Sequence, residues 1–265
     1  MDDSRRIGLA RALSKQGYCS RSNAFPLIHA GRVSLNGRIC CDPEAPVRLE
    51  RDRIEVDGQK LAVQARVYLM LNKPRGVVTT ASDEKRRETV YAYLGEGLPW
   101  VAPVGRLDKA SEGLLLLSND SEWAACVLAP ETHLDKTYHV QIGADADTAL
   151  LESITHGVRT SDGSFLRAKT AHILRAGEKN TWLEIVLDEG KNRQIRRMLA
   201  QLGITVLRLI RVAIGPLVLG DLPKGGSRPL TEGDKRALDQ AMRQPSVPGV
   251  GHRRQASGRQ RRQKA

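Results

Sequence analysis

The chain has 265 residues, enough for one large domain and a small one, and 40% of them are hydrophobic, so most of the length should fold. Its 42 Lys and Arg against 30 Asp and Glu leave a formal net charge of +12, which points to a polyanionic partner, nucleic acid first. No apolar run reaches the length of a transmembrane span, and no long basic helix with a Trp/Leu face suggests binding to a membrane surface.

The N-terminus, MDDSRRIGLARAL, starts acidic and lacks an apolar signal core, which argues against export and for a cytoplasmic protein. The cysteines Cys19, Cys40, Cys41 and Cys126 form no Cys-x-x-Cys pair, and the adjacent Cys40 and Cys41 make a poor disulfide, so reduced thiols are expected. The histidines show no ligand spacing, and no metal site is implied.

RRIGLARALSKQG carries Ile7, Leu9, Ala10 and Leu13 near helical spacing, with Gly17 as a stop. In SRSNAFPLIHAG, Ser20 can cap a second helix and Gly31 can end it, with Pro26 inside. RVSLNGRI and DRIEVDGQKL then read as hairpins turning at Asn36-Gly37 and Asp57-Gly58. Residues 5–62 are thus expected to form a small helix-helix-strand unit, with Arg21 and Arg32 among the cations scattered over it. After a linker near 63–66, RVYLMLNKPRGVVTT is β-rich and broken at Lys73-Pro74-Arg75-Gly76. TYHVQIGA and TWLEIVLDE alternate as strands, whereas DTALLESITHG and RQIRRMLAQLG have helical spacing and Gly ends. Strands and helices alternate irregularly over 66–238 with no βαβ repeat, so the fold class is α+β with a mixed, largely antiparallel sheet and flanking helices. After Asp239 no acidic residue remains, and 243–265 is expected to be a disordered basic tail that binds phosphates non-specifically.

VGRLDKASEGLLLLSND places Arg106 and Asp108 beside the apolar run Leu114–Leu117, which makes them either a structural pair or a working site. EGKNRQIRRM gathers Lys191, Arg193, Arg196 and Arg197; on a helix, 193 and 197 share a face and 196 points elsewhere. Ile195, Met198 and Leu199 mark that helix as partly buried, and Gly190 suits a tight turn at its start.

Two resemblances follow from these stretches. RALSKQGYCSRSNAFPLIHAGRVSLNGRI resembles the small alpha-L RNA-binding module of ribosomal proteins. That family's second helix usually opens Ser-Arg-Arg-Glu-Ala; here it is Ser20-Arg21-Ser22-Asn23-Ala24, so one basic contact is missing. LNKPRGVVTT, VGRLDKASEGLLLLSND, KTYHVQIG, EGKNRQIRRMLAQLG and LRLIRVAIGPLVLGDLPKGGSRPLT, in this order, closely resemble the pseudouridine synthases of the ribosomal small-subunit (RsuA) type.

The second resemblance implies a catalytic domain that detaches a uridine base at nitrogen and rejoins it through carbon 5. It implies an ionised Asp108, acting on the sugar, on the base, or as a base toward a sugar proton. It offers Arg196 as the partner that keeps Asp108 charged, and Tyr138 as the residue that stacks on the flipped uracil. Arg106 either fills the gap left by the flipped base or meets a phosphate. Lys191, Arg193 and Arg197, with Arg21 and Arg32 of the first module, are the expected RNA contacts. The isomerisation needs no cofactor. The expected partner is ribosomal RNA or an assembly particle, with large-subunit RNA favoured and a monomeric enzyme. The rival readings are a non-catalytic ribosome assembly factor and a glycosidase-like enzyme; the second lacks a paired carboxylate in the motifs.

Overall fold

The computed structural model describes residues 6–61, 64–81 and 83–243. The expected tail, apart from Arg243, lies outside the described residues, as do Arg5 and residues 62–63 at the expected linker.

The N-terminal elements are β1 (Ile7–Gly8), α1 (Leu9–Lys15), α2 (Arg21–His29), β2 (Val33–Leu35), β3 (Arg38–Ile39), β4 (Pro46–Val47), β5 (Ile54–Val56) and β6 (Gln59–Lys60). The Ser20 hydroxyl accepts from the Asn23 amide at 3.0 Å and caps α2, which contains Pro26 as expected. Asn36-Gly37 and Asp57-Gly58 both take positive φ (54° and 81°, 50° and 76°), the turn geometry that hairpins with two-residue loops prefer. One apolar cluster holds this unit together, with Leu9, Ala12, Leu13, Ala24, Ile28, Val33 and Val47 fully buried.

The rest of the chain builds on one sheet. Its elements are β7 (Tyr68–Lys73), β8 (Ala102–Val104), β9 (Glu112–Ser118), α3 (Ser121–Leu128), β10 (Lys136–Ile142), α4 (Thr148–His156), β11 (Val158–Arg159) and β12 (Phe165–Leu166). They continue with β13 (Thr170–Ala176), β14 (Thr181–Leu187), α5 (Gln194–Gln201), β15 (Val206–Ile214), β16 (Leu217–Val218), β17 (Ser227–Pro229) and α6 (Glu232–Arg243). The strand order is β13-β14-β10-β15-β9-β7-β17, with β16 beside β15 and β8 beside β9. Its pairings are antiparallel except β15 with β9, so the sheet is mixed and largely antiparallel, as expected. Helix α6 continues past residue 238 to Arg243 and seats Leu238 in the core.

All seven residues of β9 are buried because both faces of the strand are covered. Leu114 and Leu116 pack with Trp123, Val127 and Leu238 from α3 and α6. Leu115 and Leu117 face the other way, against Val77, Val90, Val101 and Leu107. The leucine run is therefore a central strand that serves two cores at once. A third cluster, over β10, β14 and β15, is closed by Ile154 of α4 and by Ile195, Met198 and Leu199 of α5.

Gly113 makes the parallel join possible. Its φ is +101°, and a Cβ there would overlap the Arg211 carbonyl oxygen. β9 thus hands one edge from β8, paired at Leu116–Ser118, to β15, paired at Glu112–Gly113. The loop 105–111 emerges where that edge changes hands, and this positions the site.

Candidate active site

Loop 105–111 carries Asp108 and is pinned by backbone contacts from several elements. Lys73, at the end of β7, is fully buried, and its ammonium donates to the carbonyls of Pro74 (3.0 Å), Asp108 (3.2 Å) and Ser111 (2.9 Å). Three N–H donors meet three carbonyl acceptors, so the buried cation is fully bonded. Burial pushes the Lys73 ammonium down to about 8, while Asp108 and Glu112 hold it up, which leaves it charged at neutral pH. The Thr79 hydroxyl donates to the Leu107 carbonyl at 2.8 Å, and the Gly76 amide donates to the Lys109 carbonyl at 2.7 Å.

Arg196, on the first turn of α5, donates to the Ala110 carbonyl at 3.0 Å and to the Val206 carbonyl at 3.4 Å. The expected Asp108–Arg196 ion pair is not the one formed. Arg193 Nη1 lies 3.5 Å from Asp108 Oδ2 instead. The reason is local. Arg193 is left-handed (φ 48°) at the cap of α5, outside the helical phase that a periodicity argument assumes, so its side chain turns to Asp108. The left-handed position of this turn falls on Arg193, whereas Gly190 has no positive φ. Arg196 still acts on the same loop, but through its backbone. Burial lowers the Arg196 guanidinium below its ordinary value; Arg193 and Arg75 add to that, and Asp108 opposes it. An arginine so lowered remains charged.

A cleft opens above Asp108, lined from loop 105–111 by Gly105, Arg106, Leu107, Asp108 and Ser111. Its other walls are Lys136 and Tyr138 of β10, Leu209 and Arg211 of β15, and residues 187–195 leading into α5. Arg106 is exposed, Leu107 is buried and Asp108 is half-buried, so 106 and 108 both open onto the cleft although the segment follows β8 rather than belonging to a strand. Tyr138 is half-buried and packs against two of the apolar clusters, the one over β10, β14 and β15 and the one around Leu115 and Leu117.

The structure thus brings Arg106, Asp108, Tyr138, Lys191 and Arg193 to one cleft. Lys191 is ion-paired with Glu189 at 2.9 Å and also donates to the Phe165 carbonyl. Arg197, one turn beyond Arg193, points away to Asp162, 2.5 Å distant. Arg21 and Arg32 are exposed on the N-terminal unit, outside the cleft lining, and Arg32 pairs with Asp57 at 2.6 Å. Sequence reasoning missed Lys73, Lys136 and Arg211. Lys73 closes a strand whose other residues are buried or half-buried, YLMLNK, and Arg211 lies within the alternating run VLRLIRVAI; those positions were the available signal.

The cleft is built on a mixed sheet, with Asp108 among the cations Arg106, Lys136, Arg193 and Arg211. Comparison with known proteins gives the class. The family description "RNA pseudouridylate synthase" matches residues 67–201. A protein of Aquifex aeolicus described as an uncharacterized RNA pseudouridine synthase is 36% identical over 243 residues, 91% of this chain and 97% of that one. A crystal structure of a pseudouridylate synthase superposes with a TM-score of 0.62 at 28% identity, covering 88% of this chain and 99% of the other. The chain belongs to the RNA pseudouridine synthase family, of the RsuA type that its motifs resemble, and is an isomerase. The ribosomal large subunit pseudouridine synthase B of Bacillus subtilis is 34% identical over 231 residues, 87% of this chain and 94% of the relative.

Proposed function

We propose that this enzyme isomerises a specific uridine of ribosomal RNA to pseudouridine, in the large subunit, without a cofactor. The observation that carries the reading is the cleft of Asp108 and Tyr138 on the family's sheet. The Bacillus subtilis relative, whose name specifies the large ribosomal subunit, supports the choice of RNA.

The uridine leaves its stack and enters the cleft, where Tyr138 stacks on the uracil and Asp108 faces the nucleoside. Asp108 acts on the sugar, on the base, or as a base toward a sugar proton. The glycosidic bond to nitrogen breaks, the ring turns, carbon 5 bonds to the sugar, the carbon-5 proton leaves, and N1 takes up a proton. Nothing is oxidised, so the reaction balances without a redox partner. Arg196 and Lys73 hold the loop of Asp108, and Arg193 balances its charge at the mouth. Arg106 serves the RNA, filling the gap or meeting a phosphate; Lys191, Arg197, Arg21 and Arg32 add contacts along the chain. In this reading residues 5–62 are an RNA-binding module, 66–238 the catalytic domain and 243–265 a basic tail, and the enzyme works in the cytoplasm as a monomer.

The test is tritium release from large- and small-subunit transcripts, and their early assembly particles, labelled at uracil carbon 5. Release from the large-subunit RNA alone is expected. Release confined to small-subunit RNA overturns the substrate, and release from neither overturns the function.

A further inference from the structure

Among the described residues, Arg211 and Lys136 in the cleft have no carboxylate ion-pair partner. Arg211 is buried, and its Nε donates to the Leu114 carbonyl at 2.8 Å, which fixes the plane of the guanidinium. Its Nη2 is buried with no hydrogen-bond partner. Lys136, half-buried two residues before Tyr138, forms neither a hydrogen bond nor an ion pair among the described residues. Of the acids near it, Asp135 is taken by Lys169 at 2.7 Å, and Asp188 sits on the cleft wall without pairing to it. Burial, with Arg211 beside it, lowers the Lys136 ammonium below its ordinary value, although Asp135 and Asp188 oppose the shift. A buried N–H without an acceptor, and a buried and a half-buried cation side by side without an ion-pair partner, are costly arrangements. A ligand oxygen bearing negative charge relieves both.

The sheet register says where that oxygen would lie. Arg211 is the direct partner of Tyr138 in the antiparallel β10–β15 pair, so their side chains stand side by side on the cleft face. Lys136 is the next residue of β10 on that face, displaced by the irregularity between Thr137 and Tyr138. A uracil stacked on Tyr138 has its ring edge beside both cations.

We propose that Arg211 and Lys136 bind a carbonyl oxygen of the target uracil and stabilise the negative charge that the ring gains during the reaction. This rests on the function proposed above. It holds for each role open to Asp108. When the bond between sugar C1′ and uracil N1 breaks, its electron pair stays on the ring and spreads to O2 and O4. When the carboxylate adds to the ring at carbon 6, the displaced pair moves to O4. In either case the later bond from carbon 5 to C1′ uses the ring's electron pair; carbon 5 then gives up its proton while N1 takes one, so the product is neutral and no further reactant is needed. Donors fixed before the charge develops, in a site that excludes water, stabilise it most.

The test compares wild type, Lys136→Met, Arg211→Met and Arg211→Lys in single-turnover tritium release, with RNA affinity and melting temperature measured for each. Each Met variant is expected to lose about a hundredfold in rate, the scale of one lost donor to a developing oxyanion. RNA affinity should stay within about twofold, and Arg211→Lys should recover part of the rate. Lys136→Met removes no hydrogen bond, so it decides the matter should Arg211→Met melt early. A folded Lys136→Met protein with the wild-type rate overturns the inference. So does a loss that resides in affinity and vanishes on RNA carrying methylphosphonates at the target nucleotide, since the cations then meet phosphate. Inactivity of the wild type overturns the function itself, and this inference with it.

Discussion

The N-terminal unit and the central cleft handle charge in opposite ways. In the first, the core is apolar and ion pairs such as Arg32–Asp57, beside the paired strands β2 and β5, lie at the surface. Around the cleft, charged groups are buried and paired over long stretches of chain. Lys73 reaches Asp108 and Ser111, Glu112 holds Arg208 and Lys224, and Arg211 reaches Leu114. The first arrangement costs little and can be reshaped piece by piece. The second fixes a carboxylate in space, and each member is expensive to lose.

Replacing Lys73 with Met should expose that contrast most strongly. Three carbonyls lose their buried donor, so unfolding in denaturant should show a loss of about 3 kcal/mol, with tritium release falling too. The wild type also predicts a pH signature. Because the folded ammonium sits at about 8, below its unfolded value, the unfolded state binds more protons between the two. The stability of wild type relative to Lys73→Met should therefore rise as pH climbs from about 8 toward 10. A flat difference across that range contradicts the burial argument.

The two arginines near Asp108 should separate next. Arg196→Met removes two bonds to carbonyls and should cost about 1–2 kcal/mol in denaturant melts. Arg193→Met breaks a half-exposed pair at 3.5 Å and should cost less than about 1 kcal/mol. The reverse order would mean that the ion pair, and not the loop anchor, holds the site together. In the N-terminal unit, Ser20→Ala should cost about 1 kcal/mol through the lost cap and leave the single-turnover rate on saturating RNA unchanged.

What the sequence made legible follows the same divide. Hairpin turns at Asn36-Gly37 and Asp57-Gly58, the cap at Ser20 and the helices ending at Gly157 and near Gly203 depend on residues within a few positions, so local chemistry revealed them. The leucine run announced a core strand, but its parallel join to β15 did not show, because it depends on Gly113 meeting a backbone almost a hundred residues away. Asp108 and Tyr138 could be picked out from the motifs they share with a known family. The Arg193–Asp108 contact could not, since helical phase fails at a left-handed cap. Lys73 and Arg211 escaped notice because their positions read as strand, and no rule of periodicity turns a basic residue inward without a partner contributed by distant chain.

The most direct test of the central claim, that the cleft around Asp108 isomerises uridine, is tritium release by wild type and Asp108→Asn on the same carbon-5-labelled ribosomal RNA, at concentrations where both bind it fully. The account predicts release by the wild type and essentially none by the variant, with equal RNA occupancy. Equal release by the two, or salt-sensitive binding without release by either, would contradict it and leave an RNA-binding assembly factor in its place.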